Sequence, residues 1–181
     1  VVTGVSVGSA VISYTVTTAC GTDVAVHTVV INPLPDAGTI TTAGLLSMCP
    51  ASSITLANAT PGGVWSASNG NATVDPMGVV TGVTGGLDTI MYSVTTVCGT
   101  AVAMETVTVN PGADAGVIKG AAAVCVARTV TLSDAVTGGV WKSSSTGVAR
   151  VSTAGVVTGV KAGTATISYT VTNACGTDVA E

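Results

Sequence analysis

The sequence is poor in charged and aromatic residues. Charged residues make up 8% of the chain, against about a quarter in ordinary soluble domains, and phenylalanine is absent. Residues 1–118 contain no lysine or arginine. A basic patch interleaved with aromatic side chains is therefore missing, and we predict no nucleic-acid partner.

Long apolar runs are missing as well. Hydrophobic residues make up 47% of the chain and the mean hydropathy is +0.68, but apolar residues are interspersed with threonine and serine. No run reaches the roughly 18 apolar residues that suggest a membrane-spanning helix. We therefore predict that this segment does not insert into a membrane.

Histidine occurs only once, which bears on the one motif that suggests catalysis. A stretch near the start reads GVSVG, the Gly-x-Ser-x-Gly pattern of serine hydrolases, which also need a histidine base. In two later copies of this segment, Thr84 and Lys161 replace Ser6, so the copies cannot share a nucleophile. His27 corresponds to Glu105 in the next copy and is interpreted as a variable polar position. We predict no enzymatic activity and no catalytic residue.

An internal repeat organises the chain. The segment VVTGVSVGSAVISYTVTTACGTDVA at residue 1 returns in related form at residues 79 and 156, at offsets of 78 and 77 residues. We divide the chain into a first module (1–33, the C-terminal part of a copy), a second module (34–111, complete) and a third module (112–181, lacking most of its last strand). Because the chain begins and ends within a repeat, we expect it to be part of a longer protein.

A period of two residues runs through each copy. Ile90, Tyr92 and Val94 fall on one face of a predicted strand, and polar residues dominate the other. The second module is predicted to contain about seven such strands between residues 38 and 109, joined by glycine-rich turns. Many short strands of this kind predict an all-β fold of antiparallel sandwiches.

The run VWKSSSTGVARVSTAGVVTGVKAGTATISYTV, residues 140–171, resembles the bacterial immunoglobulin-like (Ig-like) domain, group 2. The motifs that carry the resemblance are the tryptophan-serine stretch, Val-Ala-x-Val, Gly-Val-Val-Thr-Gly and Gly-Thr-Ala-Thr-Ile. The second module departs from the last motif, with GLDTI at residues 86–90. The resemblance implies tandem Ig-like sandwiches of about 77–78 residues in an extracellular or cell-surface stalk or adhesin, without catalysis. We expect no cofactor.

The resemblance also suggests how the five cysteines pair. The start of the second strand of an Ig-like sandwich is expected near the end of the sixth. This predicts disulfides Cys49–Cys98 and Cys125–Cys175, with Cys20 unpaired. Each bond would close a loop of about 50 residues, worth roughly 4 kcal/mol on the chain-entropy model. Buried free thiols are the alternative; zinc is disfavoured because the sequence has no Cys-x-x-Cys or Cys/His cluster.

Two further features of the sequence are candidate sites. Asp36 and Asp114 recur where one module passes into the next, but one carboxylate per junction is too few for calcium, which takes six to eight oxygens. We predict that they cap turns, and we expect no metal site. Thr89, in the sequence DTI, resembles the Asp-Ser/Thr-apolar signal for bacterial O-glycosylation; an unmodified strand residue is the alternative.

Two functional hypotheses follow. The first is a structural repeat of a long bacterial fibre or adhesin stalk, with end-to-end modules about 40 Å long that pack laterally against other copies of the chain in a filament. Pro33, Pro35 and Pro111 would stiffen its junctions, and glycans could cover its surface. The second is a ligand-binding adhesin module for a carbohydrate or receptor. It requires an exposed aromatic or acidic cluster, whereas the tryptophans and tyrosines are predicted to lie in the core.

Overall fold

A computed structural model describes residues 1–181 as sixteen β-strands with no helix, which confirms the all-β prediction. The first module contains β1 (Gly8–Thr18) and β2 (Gly21–Ile31). The second contains β3 (Ile40–Thr42), β4 (Ser47–Met48), β5 (Ser53–Asn58), β6 (Val64–Ala67), β7 (Ala72–Val74), β8 (Val79–Gly82), β9 (Gly86–Thr96) and β10 (Gly99–Val109). The third contains β11 (Thr129–Thr131), β12 (Val140–Ser143), β13 (Ala149–Val151), β14 (Val156–Gly159), β15 (Ile167–Asn173) and β16 (Gly176–Ala180).

The second module is a sandwich of two four-stranded sheets. One sheet has the strand order β3-β5-β8-β7 and the other has the order β4-β10-β9-β6. The predicted alternation along β9 is confirmed, because Ile90, Tyr92 and Val94 are buried between the sheets and the residues between them are more exposed. The main core cluster shares this inner space and consists of Met48, Leu56, Ala72, Val80, Ile90, Val107 and Val109.

The strand that the sequence did not predict is β4. It is two residues long and pairs in parallel with the end of β10, Ser47 opposite Thr108 and Met48 opposite Val109. Two residues are too few to show an alternating pattern. This short strand decides at which end of the sandwich Cys49 lies.

The Gly-Val-Val-Thr-Gly motif begins with a glycine that its turn requires. Gly78 has a φ of 82°, in the left-handed region that side chains disfavour, and its Cα faces the carbonyl of Leu56. The Asp75 carboxylate closes the same turn by accepting hydrogen bonds from the backbone N–H groups of residues 77 and 79. Gly155 repeats this conformation against Leu132 in the third module.

The third module repeats this plan in two three-stranded sheets, β11-β14-β13 and β12-β15-β16. A groove of about 770 Å³ opens beside its core, lined by residues that include Ile118, Leu132, Val157 and Ile167. In the second module, Val107 and Val109 of β10 lie in the core and are almost fully buried. Since β16 ends at Ala180, it contributes no counterpart of these two valines.

The first module is a two-stranded hairpin, with β1 and β2 paired from Gly8 opposite Ile31 to Thr18 opposite Gly21. Its apolar residues are largely exposed because no second sheet covers either face. Tyr14, predicted to be a core residue, is 72% exposed. The sequence prediction was therefore wrong for Tyr14, because burial of this tyrosine requires the opposing sheet.

Candidate functional site: the junction between modules

The second and third modules meet where β10 ends and the hairpin of β15 and β16 turns. At this hairpin tip, Asn173 donates a hydrogen bond from Nδ2 to the carbonyl of Pro111 at 3.1 Å. Its Oδ1 accepts one from the backbone N–H of Cys175 at 2.8 Å. The Sγ atom of Cys175 lies 3.7 Å from the carbonyl oxygen of Asn110. The tip of the third module therefore sits against the link between the modules.

A disulfide closes this junction. Cys49 directly follows β4, and the parallel pairing of β4 with the end of β10 places it at the same end of the sandwich as the link. It is bonded to Cys175, with the two Cα atoms 5.4 Å apart, inside the usual range for disulfides. The bond therefore joins two modules and does not cross-link strands of one sandwich.

The predicted pairs Cys49–Cys98 and Cys125–Cys175 are consequently wrong. Cys98 precedes β10, whereas Cys49 lies beside its far end. The 11 residues of β10, at about 3.3 Å each, separate these ends by roughly 30 Å, far beyond disulfide reach. Cys98 and Cys125 are exposed free thiols, and so is Cys20.

Close to this junction, a carboxylate also restrains the third module by a hydrogen bond within that module. Asp178 on β16 accepts a hydrogen bond at its Oδ2 from the backbone N–H of Ala115 at 2.8 Å. Ala115 is fully buried, so this contact fixes the start of the third module against its own last strand. The only indication of this role in the sequence is the position of Asp178, directly after the recurring Cys-Gly-Thr.

The recurring aspartates of the junctions cap turns, as the sequence predicted. Asp36 accepts a hydrogen bond from the N–H of Gly38, and Asp114 accepts one from the N–H of Gly116, each at 2.8 Å. The structure groups no three His, Cys, Asp or Glu side chains in a way that could hold a metal ion.

The sequence model of one protein family, the bacterial Ig-like domain (group 2), matches residues 101–180. These residues include most of β10, the junction and the third module as far as Ala180. Residues 101–180 belong to this family. The resemblance read from the sequence is thereby confirmed. The strands β5 to β10 of the second module recur in the same order as β11 to β16 of the third, and both modules contain the GGVW and GVVTG motifs, so both are Ig-like modules in fold. A comparison with curated proteins finds no match.

The remaining residues considered from the sequence lie apart from the junction bond. Ser6 lies in a bend before β1, and His27 lies on β2 opposite Ile12. Thr89 lies half-buried on β9, opposite Thr106 of β10. The structure also contains no helix with the length and hydropathy needed to cross a bilayer.

Beside Thr89, the second Ig-like module contains a buried carboxylate that the sequence analysis missed. Asp88 is 1% exposed, and its Oδ1 accepts hydrogen bonds from the N–H and the hydroxyl of Ser68 and from the N–H of Asn69. Its Oδ2 accepts one from the N–H of Ala72 at 2.9 Å. Burial raises the pKa of Asp88, but these hydrogen bonds outweigh it and hold the pKa below its ordinary value. The carboxylate thus fastens the loop between β6 and β7.

We expect the substitution Asp88→Asn to destabilise the second module by about 3 kcal/mol, since hydrogen bonds to a buried charge are worth 1.5–3 kcal/mol each and an amide cannot replace them all. Urea unfolding followed by Trp65 fluorescence, in a Trp141→Phe background, measures the change. The exposed Asp23→Asn is the matched control, because Asp23 accepts a hydrogen bond only from the N–H of the next residue. An unchanged unfolding midpoint for Asp88→Asn would contradict this assignment.

The ionisation of Asp88 should also determine how the stability of the second module depends on pH. Because the pKa of Asp88 is lowered by folding, the unfolded chain binds this proton more tightly. Its stabilisation is therefore complete above the unfolded pKa, about 4, and is lost as the pH falls through the lower pKa of the folded state. Between pH 6 and pH 2, the second module should lose more stability in the parent chain than in Asp88→Asn. Parallel pH profiles of the two unfolding free energies would refute this expectation.

Proposed function

We propose that this chain supplies non-catalytic structural modules of a long extracellular bacterial fibre or adhesin stalk. The observation that carries the proposal is the disulfide Cys49–Cys175, which ties one Ig-like module to the next. Disulfides persist in oxidising surroundings such as the cell surface, and they are rare in the cytosol. A bond between modules restrains their relative motion, which is the property that a stalk needs.

The link between the modules favours the same function. Only a few residues separate β10 from the first turn of the third module, and Pro111 lies among them. Proline fixes its own φ and stiffens such a link. With the disulfide and the hydrogen bond from Asn173 to Pro111 added, the junction has three restraints. We infer an end-to-end stack with an axial repeat on the order of 40 Å per module.

The surface supports lateral packing against other copies of the chain. Large apolar side chains of the sheet β4-β10-β9-β6 are exposed, among them Val64, Leu87, Val102 and Met104 of the second module. The same module carries no lysine or arginine that would oppose contact between apolar surfaces. Exposed apolar surface with little charge promotes association. We therefore propose that the modules assemble side by side in a filament.

Small-angle X-ray scattering of the oxidised chain, over a range of concentrations, tests stiffness and lateral packing together. We expect an elongated particle whose apparent mass rises with concentration. Reduction of the disulfide should broaden the distribution of intermodule angles. Curves that fit a freely bending chain in the oxidised state, with no dependence on concentration, would overturn the proposal.

The ligand-binding alternative needs a surface on which a sugar or receptor could dock. Each tryptophan is half-buried and packs against a tyrosine at a tilted angle, Trp65 against Tyr92 and Trp141 against Tyr169, with ring centroids 4.7 Å apart in both pairs. The pocket beside Trp65 has a volume of about 160 Å³, below the 300–1,000 Å³ typical of ligand pockets. The groove of about 770 Å³ in the third module lies within that range, but no aromatic side chain lines it. These observations favour the structural role over the binding role.

Glycosylation of Thr89 stays a prediction. Its backbone N–H donates a hydrogen bond to the Ser68 hydroxyl at 3.1 Å, and the preceding Asp88 is buried. Attachment of a sugar would therefore have to leave the loop fastened by Asp88 intact. The intact mass of protein from the native host tests the prediction: a mass above that of the polypeptide, lost in Thr89→Ala, supports it. A mass equal to that of the bare polypeptide contradicts it.

A further inference from the structure

The cysteines of the repeat occupy two kinds of position. The loop position follows the β4 region of a module and is held by Cys49 and Cys125, while the tip position lies at the end of the long hairpin and is held by Cys20, Cys98 and Cys175. The observed bond joins a loop cysteine to the tip cysteine of the module that follows. The free cysteines are the other members of these two classes.

The loop position has the same backbone conformation whether or not its cysteine is bonded. Two residues after each loop cysteine, Ala51 and Ala127 have φ values of 62° and 58°. Their N–H groups donate to the carbonyls of Gly82 and Gly159, both at 2.9 Å. The hydrogen bonds of the module therefore hold this loop in shape, and the disulfide is not needed to form it. Cys125 therefore begins the same hydrogen-bonded turn as the bonded Cys49.

The tip position likewise has the same surroundings whether its cysteine is free or bonded. The Sγ atom of Cys98 lies 3.8 Å from the carbonyl oxygen of Asn32, and that of Cys175 lies 3.7 Å from Asn110. Asn32 and Asn110 are equivalent residues, 78 apart, in the links that precede the second and third modules. The free thiol of Cys98 thus lies against its link just as the bonded sulfur of Cys175 does.

We propose that the Cys49–Cys175 bond is one example of a disulfide that joins successive modules throughout this repeat. Cys125 and Cys98 would each supply one cysteine of a further disulfide of this kind. Cys125 would bond to the tip cysteine of a module placed after the third, and Cys98 to the loop cysteine of a complete copy of the module that precedes the second. Each bond forms when two thiols lose two protons and pass two electrons to a disulfide oxidant, such as oxidised glutathione. The proposal does not depend on whether the chain serves as a stalk or as a binding module.

The test extends the full chain by one module of its own sequence. Glu181 is equivalent to Met104, so a second copy of residues 105–181 joined after Glu181 continues the repeat in frame. The added segment begins with the ETVTV of β10, which supplies counterparts of Val107 and Val109 for the groove in the third module. The appended copy carries the exposed substitution Ala122→Ser, so that the peptide containing its Cys125 differs in mass from the native one. The extended chain is refolded with oxidised glutathione, and its disulfides are identified by peptide mapping after free thiols have been alkylated.

We expect two disulfides in the extended chain, Cys49–Cys175 as before and Cys125 bonded to the appended copy of Cys175. The appended copy of Cys125 should then be alkylated, together with Cys20 and Cys98. Replacing the appended cysteine of the tip by serine should make Cys125 reactive again while Cys49–Cys175 persists, which shows that the chain has folded. An unbonded Cys125, or a bond within the appended module between its own two cysteines, would overturn the proposal.

Discussion

Replacing Cys49 by serine should lower the free energy of unfolding of the second and third modules together by about 5 kcal/mol under oxidising conditions. The disulfide spans 126 residues, and a cross-link that closes a loop of this length restricts the unfolded chain by about that amount on the chain-entropy model. Guanidinium unfolding, followed by circular dichroism in the presence and absence of a thiol reductant, measures the difference.

Two controls isolate the contribution of the bond. Cys98→Ser removes a free, exposed thiol and should leave stability unchanged, because Cys98 closes no loop in this chain. Addition of reductant should bring the parent chain down to the stability of Cys49→Ser. If Cys49→Ser unfolds at the same denaturant concentration as the oxidised parent, the bond between modules makes no contribution and the expectation is wrong.

Gly63→Ala should destabilise the second module by roughly 3 kcal/mol, because a Cβ atom at this position would collide with the ring of Tyr92. The ring cannot move away freely, since it packs against Trp65. Its hydroxyl also accepts a hydrogen bond from Gly63 N–H at 2.9 Å and donates one to the carbonyl of Thr60 at 2.7 Å. Urea unfolding monitored by Trp65 fluorescence, in a Trp141→Phe background, gives the change.

Gly44→Ala is the matched control, because a Cβ atom at Gly44 would meet no atom within 4 Å. A double-mutant cycle sharpens the test: in a Tyr92→Leu background, the cost of Gly63→Ala should fall sharply, since the colliding ring is gone. Equal costs in the two backgrounds would show that Gly63 acts through something other than Tyr92. Gly139 faces the ring of Tyr169 in the same way, so the argument extends to the third module.

The strands could be predicted from the sequence because the long strands of the second module are buried on one face and exposed on the other. Ile90, Tyr92 and Val94 on β9 make that period visible, and the repeat displays it in every copy. The exposure of Tyr14 could not be predicted from its own strand, because it depends on which other strands are present to cover it. The local sequence pattern was therefore enough to predict the strands, but it could not predict which residues of the first module are buried.

The disulfide could not be predicted because the spacing of cysteines in a repeat does not distinguish a partner in the same module from one in the next. Cys49 has a tip cysteine in its own module, Cys98, and another in the following module, Cys175. The choice between them depends on the parallel pairing of β4, a strand too short to leave a pattern. The burial of Asp88 was missed for a related reason, since its hydrogen-bond partners belong to the loop between β6 and β7.

The bond between modules also determines the path of a mechanical force along the chain. A pull applied before residue 49 and after residue 175 passes through the two sulfur atoms, so the segment between the cysteines carries no tension. That segment includes β5 to β10 of the second module and almost all of the third. It cannot be drawn out while the bond is intact, and the chain can lengthen only through the residues outside the loop. Reduction would restore more than a hundred residues to the extensible length, at about 3.5 Å each.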